Sequence, residues 1–225
     1  MASNSEVKEM LHTIEHGCFI TRHQTGINKF QPRVMAAMAR VLREKFVPDA
    51  FKPCAYADGP LPIGNGQTIS QPYIVALMTD LLLPEKSDVI LEIGAGSGYQ
   101  AAILGELVKK VYTIEIIPAL AREARARLKK LGYRNIEVRE GDGYEGLPSL
   151  APFDGIIVTA AAGHIPPPLV EQLNPGGRLV IPIGQAHAAQ MLFLIEKDAA
   201  GEVSTREILA VAFVPLTGAG QTKIN

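Results

Sequence analysis

The 225-residue sequence has few cysteines, no excess charge of one sign and no long apolar run. Two cysteines, Cys18 and Cys54, cannot form a disulfide framework of the kind found in small secreted domains. The 22 basic and 23 acidic side chains give a net charge of −1, which disfavours sequence-independent nucleic-acid binding. No apolar stretch approaches the roughly 20 residues that a bilayer requires, and residues 1–10 contain no apolar core of a signal peptide. We therefore expect a cytoplasmic protein that binds neither membrane nor nucleic acid.

Apolar residues are plentiful, and their pattern predicts alternating strands and helices. They make up 47% of the sequence, and the mean hydropathy of +0.13 excludes a disordered chain. The predicted buried strands are Val89–Ile93, Val111–Ile116, Ile136–Val138, Gly155–Thr159 and Leu179–Ile183, and the helices between them are Tyr99–Val108, Pro118–Leu131 and Pro167–Leu173. This alternation is typical of an open, mostly parallel sheet with helices on both faces.

The two ends of the chain depart from this alternation. Met191–Ile195 and Ile208–Val214 have no helix between them, which predicts an antiparallel hairpin at the sheet edge. Near the N-terminus, Val34, Met38, Val41 and Leu42 recur at helical spacing after Pro32. A proline- and glycine-rich stretch, 47–72, predicts an irregular functional loop, followed by a helix over Ile74–Leu83. We divide the chain into a helical cap with a substrate loop (1–72) and a core (73–225), forming one integrated domain.

A glycine-rich turn follows the first core strand. Gly94, Gly96 and Gly98 allow a sharp turn and the close approach of a ligand. The third glycine comes one position too early for the dinucleotide fingerprint, in which a glycine would replace Tyr99, so a nicotinamide dehydrogenase is the least favoured reading. The carboxylate of Glu92 would repel a pyrophosphate but suits a cation, such as the amino and sulfonium groups of S-adenosylmethionine.

Two further acidic residues follow the next two predicted strands. Glu115 closes the second strand, where its carboxylate could accept hydrogen bonds from both hydroxyls of a ribose. Asp142 follows the third strand, where it could accept a hydrogen bond from the adenine amine, and Gly143 allows the base to approach closely. Three acids at the ends of three consecutive strands predict a single S-adenosylmethionine site.

These motifs resemble those of the class I, Rossmann-like methyltransferases. The loop Leu61–Pro72, LPIGNGQTISQP, is more specific and closely resembles the signature loop of protein-L-isoaspartate O-methyltransferases. Supporting matches are FDGIIVTAA (153–161), NPGGRL (174–179) and FVPLT (213–217). The resemblance covers residues 32–217. It implies an α/β, Rossmann-like, doubly wound fold with a mostly parallel seven-stranded sheet, a C-terminal antiparallel hairpin and an N-terminal helical cap.

The resemblance also implies a reaction. A methyl group passes from S-adenosylmethionine to the α-carboxylate of an L-isoaspartyl residue in a damaged protein, and the ester then cyclises to a succinimide that opens partly to aspartate. A carboxylate with a pKa of about 4 is already ionised at neutral pH, so no general base is needed. The leaving group is a neutral thioether, so no general acid is needed either. The enzyme must mainly align the reacting atoms and exclude water.

The family match implies the site residues. Ser70 donates a hydrogen bond to the substrate carboxylate beside the transferred methyl group, and it is not a nucleophile because no G-x-S-x-G motif surrounds it. The implied cofactor site consists of Gln67, Thr68, Ile69, Glu92, Gly94, Gly96, Gly98, Glu115, Ile116, Asp142, Gly143 and Thr217. The substrate is an isoaspartyl peptide or protein, and we expect a monomer. Roles for Tyr73, His164 and Gln221 stay open.

Several alternatives accompany this reading. His12 and His16 lie four residues apart with Cys18 and His23 nearby, a spacing that could bind a metal, but no second ligand pair is evident and we expect a solvated helix face without metal. We also expect His187 to lie in a loop. Two rival functions are methylation of another small molecule or nucleic acid, and S-adenosylmethionine binding without catalysis.

Overall fold

Helices form the N-terminal part of the computed structural model, which describes residues 4–185 and 188–218. Its elements are α1 (Asn4–Thr25), α2 (Pro32–Arg40), the strands β1 (Leu61–Gly64) and β2 (Gln67–Ile69), and α3 (Pro72–Leu81). Pro32 occupies the first turn of α2, where a missing N–H costs nothing. Helix α2 stops at Arg40 because Val41 is extended, so the predicted continuation through Val41 and Leu42 is wrong.

Residues 47–72 are more regular than the sequence analysis predicted. A 3₁₀-helix covers Asp49–Cys54, and β1 and β2 pair as an antiparallel hairpin. Asn65 and Gly66 both have positive φ, 53° and 72°, as a two-residue turn between twisted strands requires. Pro62 is tolerated because a two-stranded ribbon leaves one edge of each strand unpaired. The prediction of an irregular loop is therefore wrong for much of this stretch.

A seven-stranded sheet forms the core. Its elements are β3 (Val89–Ile93), α4 (Tyr99–Gly105), β4 (Lys110–Glu115), α5 (Pro118–Lys130), β5 (Ile136–Glu140), β6 (Phe153–Val158), α6 (Pro167–Glu171), β7 (Leu173–Ile183), β8 (Gln190–Lys197) and β9 (Val203–Val211). The strand order is β5-β4-β3-β6-β7-β8-β9. Strands β3 to β7 are parallel, whereas β8 is antiparallel to both of its neighbours. The predicted fold class and its C-terminal hairpin are confirmed.

Alternate strand residues bury opposite faces of the sheet. Ile90 and Ile157 belong to one apolar cluster together with side chains of α1 to α5, and Leu91 and Ile156 belong to a second cluster that contains Leu169 of α6. The N-terminal helices share the first cluster with the sheet, so the two parts are packed together. The division at residue 72 stays a prediction.

The edge strand β9 begins five residues earlier along the chain than predicted, at Val203 rather than Ile208. The Asp198 carboxylate accepts hydrogen bonds from the N–H groups of Ala200 and Glu202, which closes the preceding turn tightly. Pairing with β8 therefore starts directly after the turn. Within the described ranges, no helix is both long and apolar enough to cross a bilayer.

Candidate functional site

The carboxyl ends of β3, β4 and β6 open onto a cleft at one edge of the sheet. The residues predicted for the site that line it are Gln67, Thr68, Ile69, Ser70, Glu92, Gly94, Gly96, Glu115, Ile116, Gly143 and Thr217. The structure thus brings together the glycine-rich turn, the β1–β2 hairpin and the C-terminal segment around one space. Ser97, Tyr99, Gln100 and Thr159 also line the cleft, although the sequence analysis did not assign them to it.

Gly98 and Asp142 are the predicted residues that do not line the cleft. Gly98 precedes α4 with φ 87°, and a Cβ there would lie 3.2 Å from Leu128, so this glycine lets the start of α4 pack closely against α5. The Asp142 carboxylate accepts a hydrogen bond from the Tyr144 N–H at 2.9 Å, and the backbone at Gly218 lies against it. Ligand contacts of Gly98 and Asp142 stay predictions.

Glu92 is fully buried, with 0% of its surface exposed. Neither carboxylate oxygen has a hydrogen-bond partner within residues 4–185 and 188–218. Burial raises the pKa of Glu92 to about 8; the Thr113 side chain acts in the opposite direction, and the Glu115 carboxylate adds to the rise. A buried carboxylate without partners is costly, so the wall of the cleft fits a ligand that brings a cationic donor, as the amino group of S-adenosylmethionine does.

Glu115 is buried beside the same cleft, but each of its carboxylate oxygens accepts a hydrogen bond from the backbone. One oxygen accepts the Gly96 N–H at 2.7 Å and the other accepts the Ile117 N–H at 2.9 Å. The side chain thereby holds the glycine-rich turn and the segment that leads into α5. Each oxygen retains a further lone pair that can accept a hydrogen bond from a ligand hydroxyl.

Gly94 shows why the first position of the turn requires glycine. Its φ is 98°, and an added Cβ would lie 2.5 Å from the Thr159 hydroxyl. That hydroxyl donates to the Gly94 carbonyl oxygen at 2.7 Å, joining the turn after β3 to the end of β6. Thr159 is the last residue of a predicted parallel strand, and that position was the signal that could have revealed it.

A second, larger cavity adjoins the cleft. Its further lining residues are Gly17, Ile20, Thr21, Asp58, Pro60, Gln71, Tyr73, Ile74 and residues 209–213. The two cavities share Thr68, Ser70, Thr159 and Val214. Ser70 therefore lies on the wall that the two cavities share.

The sequence analysis missed the contribution of α1 to the second cavity. The Tyr73 hydroxyl lies 2.5 Å from the Thr21 hydroxyl, and the Tyr73 ring lies so close to Gly17 that a Cβ there would come within 2.7 Å of it. The pairing of a helix glycine with a buried tyrosine is visible only in three dimensions. Tyr73, whose role was open, is thus a lining residue of this cavity.

Several other polar residues do not line the two cavities. His164 is 2.7 Å from the Tyr144 hydroxyl and lines neither cavity. Asp154 accepts hydrogen bonds from the Val89 N–H and the Asn174 amide, both at 2.8 Å, so it orders the start of β3. In the described part of the chain, no group of three or more His, Cys, Asp or Glu side chains could hold a metal ion. His187 and Gln221 lie outside the described residues.

Comparison with known proteins agrees with this geometry. A family model described as protein-L-isoaspartate(D-aspartate) O-methyltransferase matches residues 7–221. The chain belongs to the protein-L-isoaspartate O-methyltransferase family. The family predicted from the sequence motifs is confirmed, and with it the prediction of a methyltransferase.

Relatives with this name are similar over nearly their whole length. Protein-L-isoaspartate O-methyltransferase 2 of Syntrophobacter fumaroxidans is 60% identical over 210 residues, 93% of this chain and 85% of that protein. The enzyme of the same name from Nitrosococcus oceani is 56% identical over 211 residues, 94% of this chain and 96% of that one.

Solved structures share the fold. A protein-L-isoaspartate O-methyltransferase matches with a TM-score of 0.83 and 25% identity, covering 95% of this chain and 67% of that one. A Plasmodium falciparum protein in complex with S-adenosyl-L-homocysteine matches with a TM-score of 0.76 and 24% identity, covering 93% and 97%.

Proposed function

We propose that this protein transfers the methyl group of S-adenosylmethionine to the free α-carboxylate of L-isoaspartyl residues in damaged proteins, which starts their repair through a succinimide. Its family acts on isoaspartyl-containing proteins. The observation that carries the proposal is the position of Ser70 on the wall common to the cleft and a larger, more apolar cavity. A methyl donor and a peptide on either side of this wall would meet at Ser70.

The cleft takes the cofactor. S-adenosylmethionine, when bound, supplies a methyl group carried on a positively charged sulfur. The buried carboxylate of Glu92 receives the amino group of this ligand, and Glu115 accepts hydrogen bonds from the ribose hydroxyls. Asp142 and Gly143 contact the adenine. Gly98 shapes the glycine-rich turn from outside the cleft, and the site is completed by the cleft residues Gln67, Thr68, Ile69, Gly94, Gly96, Ile116 and Thr217.

The second cavity takes the peptide. Its walls are largely apolar and include Ile20 and Leu209 to Val214, so they can contact many side-chain types without selecting one. Ser70 donates a hydrogen bond to the isoaspartyl carboxylate and orients one of its oxygens toward the cleft. No residue needs to remove a proton, because the carboxylate is ionised at neutral pH. The chain contributes alignment and exclusion of water.

We further propose that the protein acts as a monomer in the cytoplasm and binds neither nucleic acid nor membrane. The balance of 22 basic and 23 acidic side chains supports the second part, since the chain has no overall attraction to polyanions.

The test is the transfer of labelled methyl groups to an isoaspartyl peptide and to its aspartyl twin. We expect label in the isoaspartyl peptide alone. Equal labelling of both peptides would indicate a different substrate, and S-adenosylhomocysteine binding without labelling of either would indicate a non-catalytic relative.

Ser70→Ala tests the residue at the shared wall. Loss of a hydrogen-bond donor beside the reacting atoms should lower kcat on the order of 100-fold, whereas calorimetric affinity for S-adenosylhomocysteine should change little. Ser149→Ala, at an exposed serine outside both cavities, is the matched control. Equal losses of kcat and affinity would mean that Ser70 mainly shapes the cofactor cleft.

A further inference from the structure

Arg43 is a fully buried cation next to the loop that carries Ser70. It begins a short 3₁₀-helix, Arg43–Lys45, and 0% of its surface is exposed. Buried arginines normally require an acidic partner, but within the described residues no carboxylate lies within ion-pair distance of this guanidinium. Arg43 must therefore be stabilised by neutral acceptors.

Those acceptors are three backbone carbonyl groups of one loop. The guanidinium of Arg43 donates to the carbonyl oxygen of Ala55 through one terminal nitrogen. Through the other it donates to the carbonyl oxygens of Gly59 and Ser70, both at 3.0 Å. The planar guanidinium of an arginine can donate to three such separate acceptors at once. The ammonium group of a lysine, a point charge on a flexible stem, is less suited to this geometry.

Asp58 makes a second link across the same loop. One carboxylate oxygen accepts from the Gln71 side-chain amide at 2.7 Å, and the other accepts from the Tyr73 N–H at 3.1 Å. Gln71 precedes α3 without capping it by its own side chain. The first N–H groups of a helix have no acceptor within the helix, and Asp58 supplies one to the N–H of Tyr73.

The two links join the ends of the segment that contains the β1–β2 hairpin. Arg43 binds the carbonyl groups of Gly59 and Ser70 and so connects them. Asp58, the residue before Gly59, binds Gln71 and Tyr73, which follow Ser70. The hairpin between these ends reaches the cofactor cleft, where the Ile63 side chain approaches Gly96. Ser70 is thus held through its own carbonyl group and through the residues that follow it.

We propose that Arg43 and Asp58 are positioning residues that hold Ser70 at the shared wall of the two cavities. The proposal rests on the proposed function of Ser70. Neither residue touches the reacting atoms. Releasing either link lets the Ser70 hydroxyl move relative to the substrate carboxylate, and a displacement of this kind lowers the rate of the chemical step.

A double-mutant cycle with Ser70→Ala tests the proposal. We expect Arg43→Lys to lower kcat for the isoaspartyl peptide by about 10- to 100-fold. The combined variant should be no slower than Ser70→Ala alone, because Arg43 acts through Ser70. The dissociation constant for S-adenosylhomocysteine is measured in parallel, since the Arg43 guanidinium lies 5.9 Å from the Tyr99 ring, which lines the cleft; we expect it to stay within about threefold.

Arg33→Lys is the matched control. Arg33 lies in α2 and donates two 2.8 Å hydrogen bonds to Glu85; none of its side-chain hydrogen bonds within the described residues goes to the Ser70 loop, and it is more exposed than Arg43. We expect its kcat to equal that of the wild type. If Arg43→Lys shows no cooperative thermal unfolding, Asp58→Ala passes through the same cycle with the same expectation for kcat. Because Asp58 also lines the second cavity, the peptide KM of this variant is measured separately from its kcat.

The outcomes separate this inference from the function on which it rests. Wild-type kcat in Arg43→Lys, or losses that multiply in the combined variant, would overturn the positioning role while leaving Ser70 in place. A wild-type protein that methylates no isoaspartyl peptide, or an unaltered kcat in Ser70→Ala, would instead remove the proposed function.

Discussion

The two cavities that meet at Ser70 are built in different ways. The cofactor cleft is formed mainly by turns that follow neighbouring parallel strands, and its walls contain two buried carboxylates. The second cavity is assembled from α1, the loop around Asp58 and residues 209–214, and it is lined mostly by apolar side chains. Under the proposed function, the first design would recognise one ligand through buried carboxyl groups, whereas the second would accept varied peptides once their carboxylate reaches Ser70.

The two carboxylates of the cleft also differ from each other. Glu115 is satisfied by two backbone N–H groups, so it supports the turn even without a ligand. Glu92 has no such partners among the described residues, and burial raises its pKa. Glu115 therefore shapes the cleft in advance, while Glu92 keeps its capacity for a cation. If ligand binding in one cavity is not energetically coupled to binding in the other, substitution of Glu92 or Glu115 should not change the affinity for the peptide.

Glu115→Ala should have the largest effect. The substitution removes the acceptor for the Gly96 and Ile117 N–H groups as well as the proposed ribose contacts. Because hydrogen bonds to charged groups contribute about 1.5–3 kcal/mol each, the dissociation constant for S-adenosylhomocysteine should rise on the order of 100-fold. Calorimetry measures this constant, and Glu123→Ala, at an exposed acid of α5, is the control. A comparable rise in the peptide KM at saturating cofactor would show that the cavities are coupled.

The pH dependence of ligand binding comes next in size. With a pKa of about 8, Glu92 is mostly protonated at neutral pH in the ligand-free protein. A cationic amino group would bind to the ionised form, so affinity for S-adenosylhomocysteine should increase on the order of 20-fold between about pH 6 and pH 7.5. Calorimetry in buffers of different protonation enthalpy should detect the release of nearly one proton at the acidic end of this range.

Glu92→Gln is the control for this titration. Its affinity should be weaker and nearly independent of pH over the same range. The ligand-free proteins should differ as well: because the pKa of Glu92 in the folded state lies above its ordinary value of 4.5, the wild type should lose stability as the pH rises from 4.5 to about 8. Thermal unfolding measures this loss, which Glu92→Gln should lack. A pH slope retained in this variant would assign the titration to another group.

The difference in construction also explains what could be predicted from the sequence. Glu92, Gly94 and Glu115 follow or end parallel strands, and consecutive strands bring such positions to one edge of the sheet. Local spacing was therefore sufficient to place them in one cleft. The family resemblance of the 61–72 loop added Ser70, which spacing alone did not mark.

The peptide-side cavity and the positioning residues could not be predicted in this way. Ile20 and Val211 are far apart in sequence, and they line one space only because α1 packs near β9. The sequence does not mark Arg43, because its three acceptors are backbone carbonyl groups, which every residue has. The Asn65–Gly66 hairpin turn was a readable signal that the surrounding prolines obscured.

Ile20→Ala should have the smallest effect and tests the peptide side of the comparison. Ile20 is 61% exposed and lines the second cavity, so a bound peptide would cover it. Loss of apolar contact of about 1 kcal/mol should raise the peptide KM about fivefold, with the affinity for S-adenosylhomocysteine unchanged. Phe19→Ala is the matched control, because Phe19 is similarly exposed, at 59%, but is not a lining residue. Equal effects of the two substitutions on KM would mean that peptides contact the exposed face of α1 generally and not the cavity.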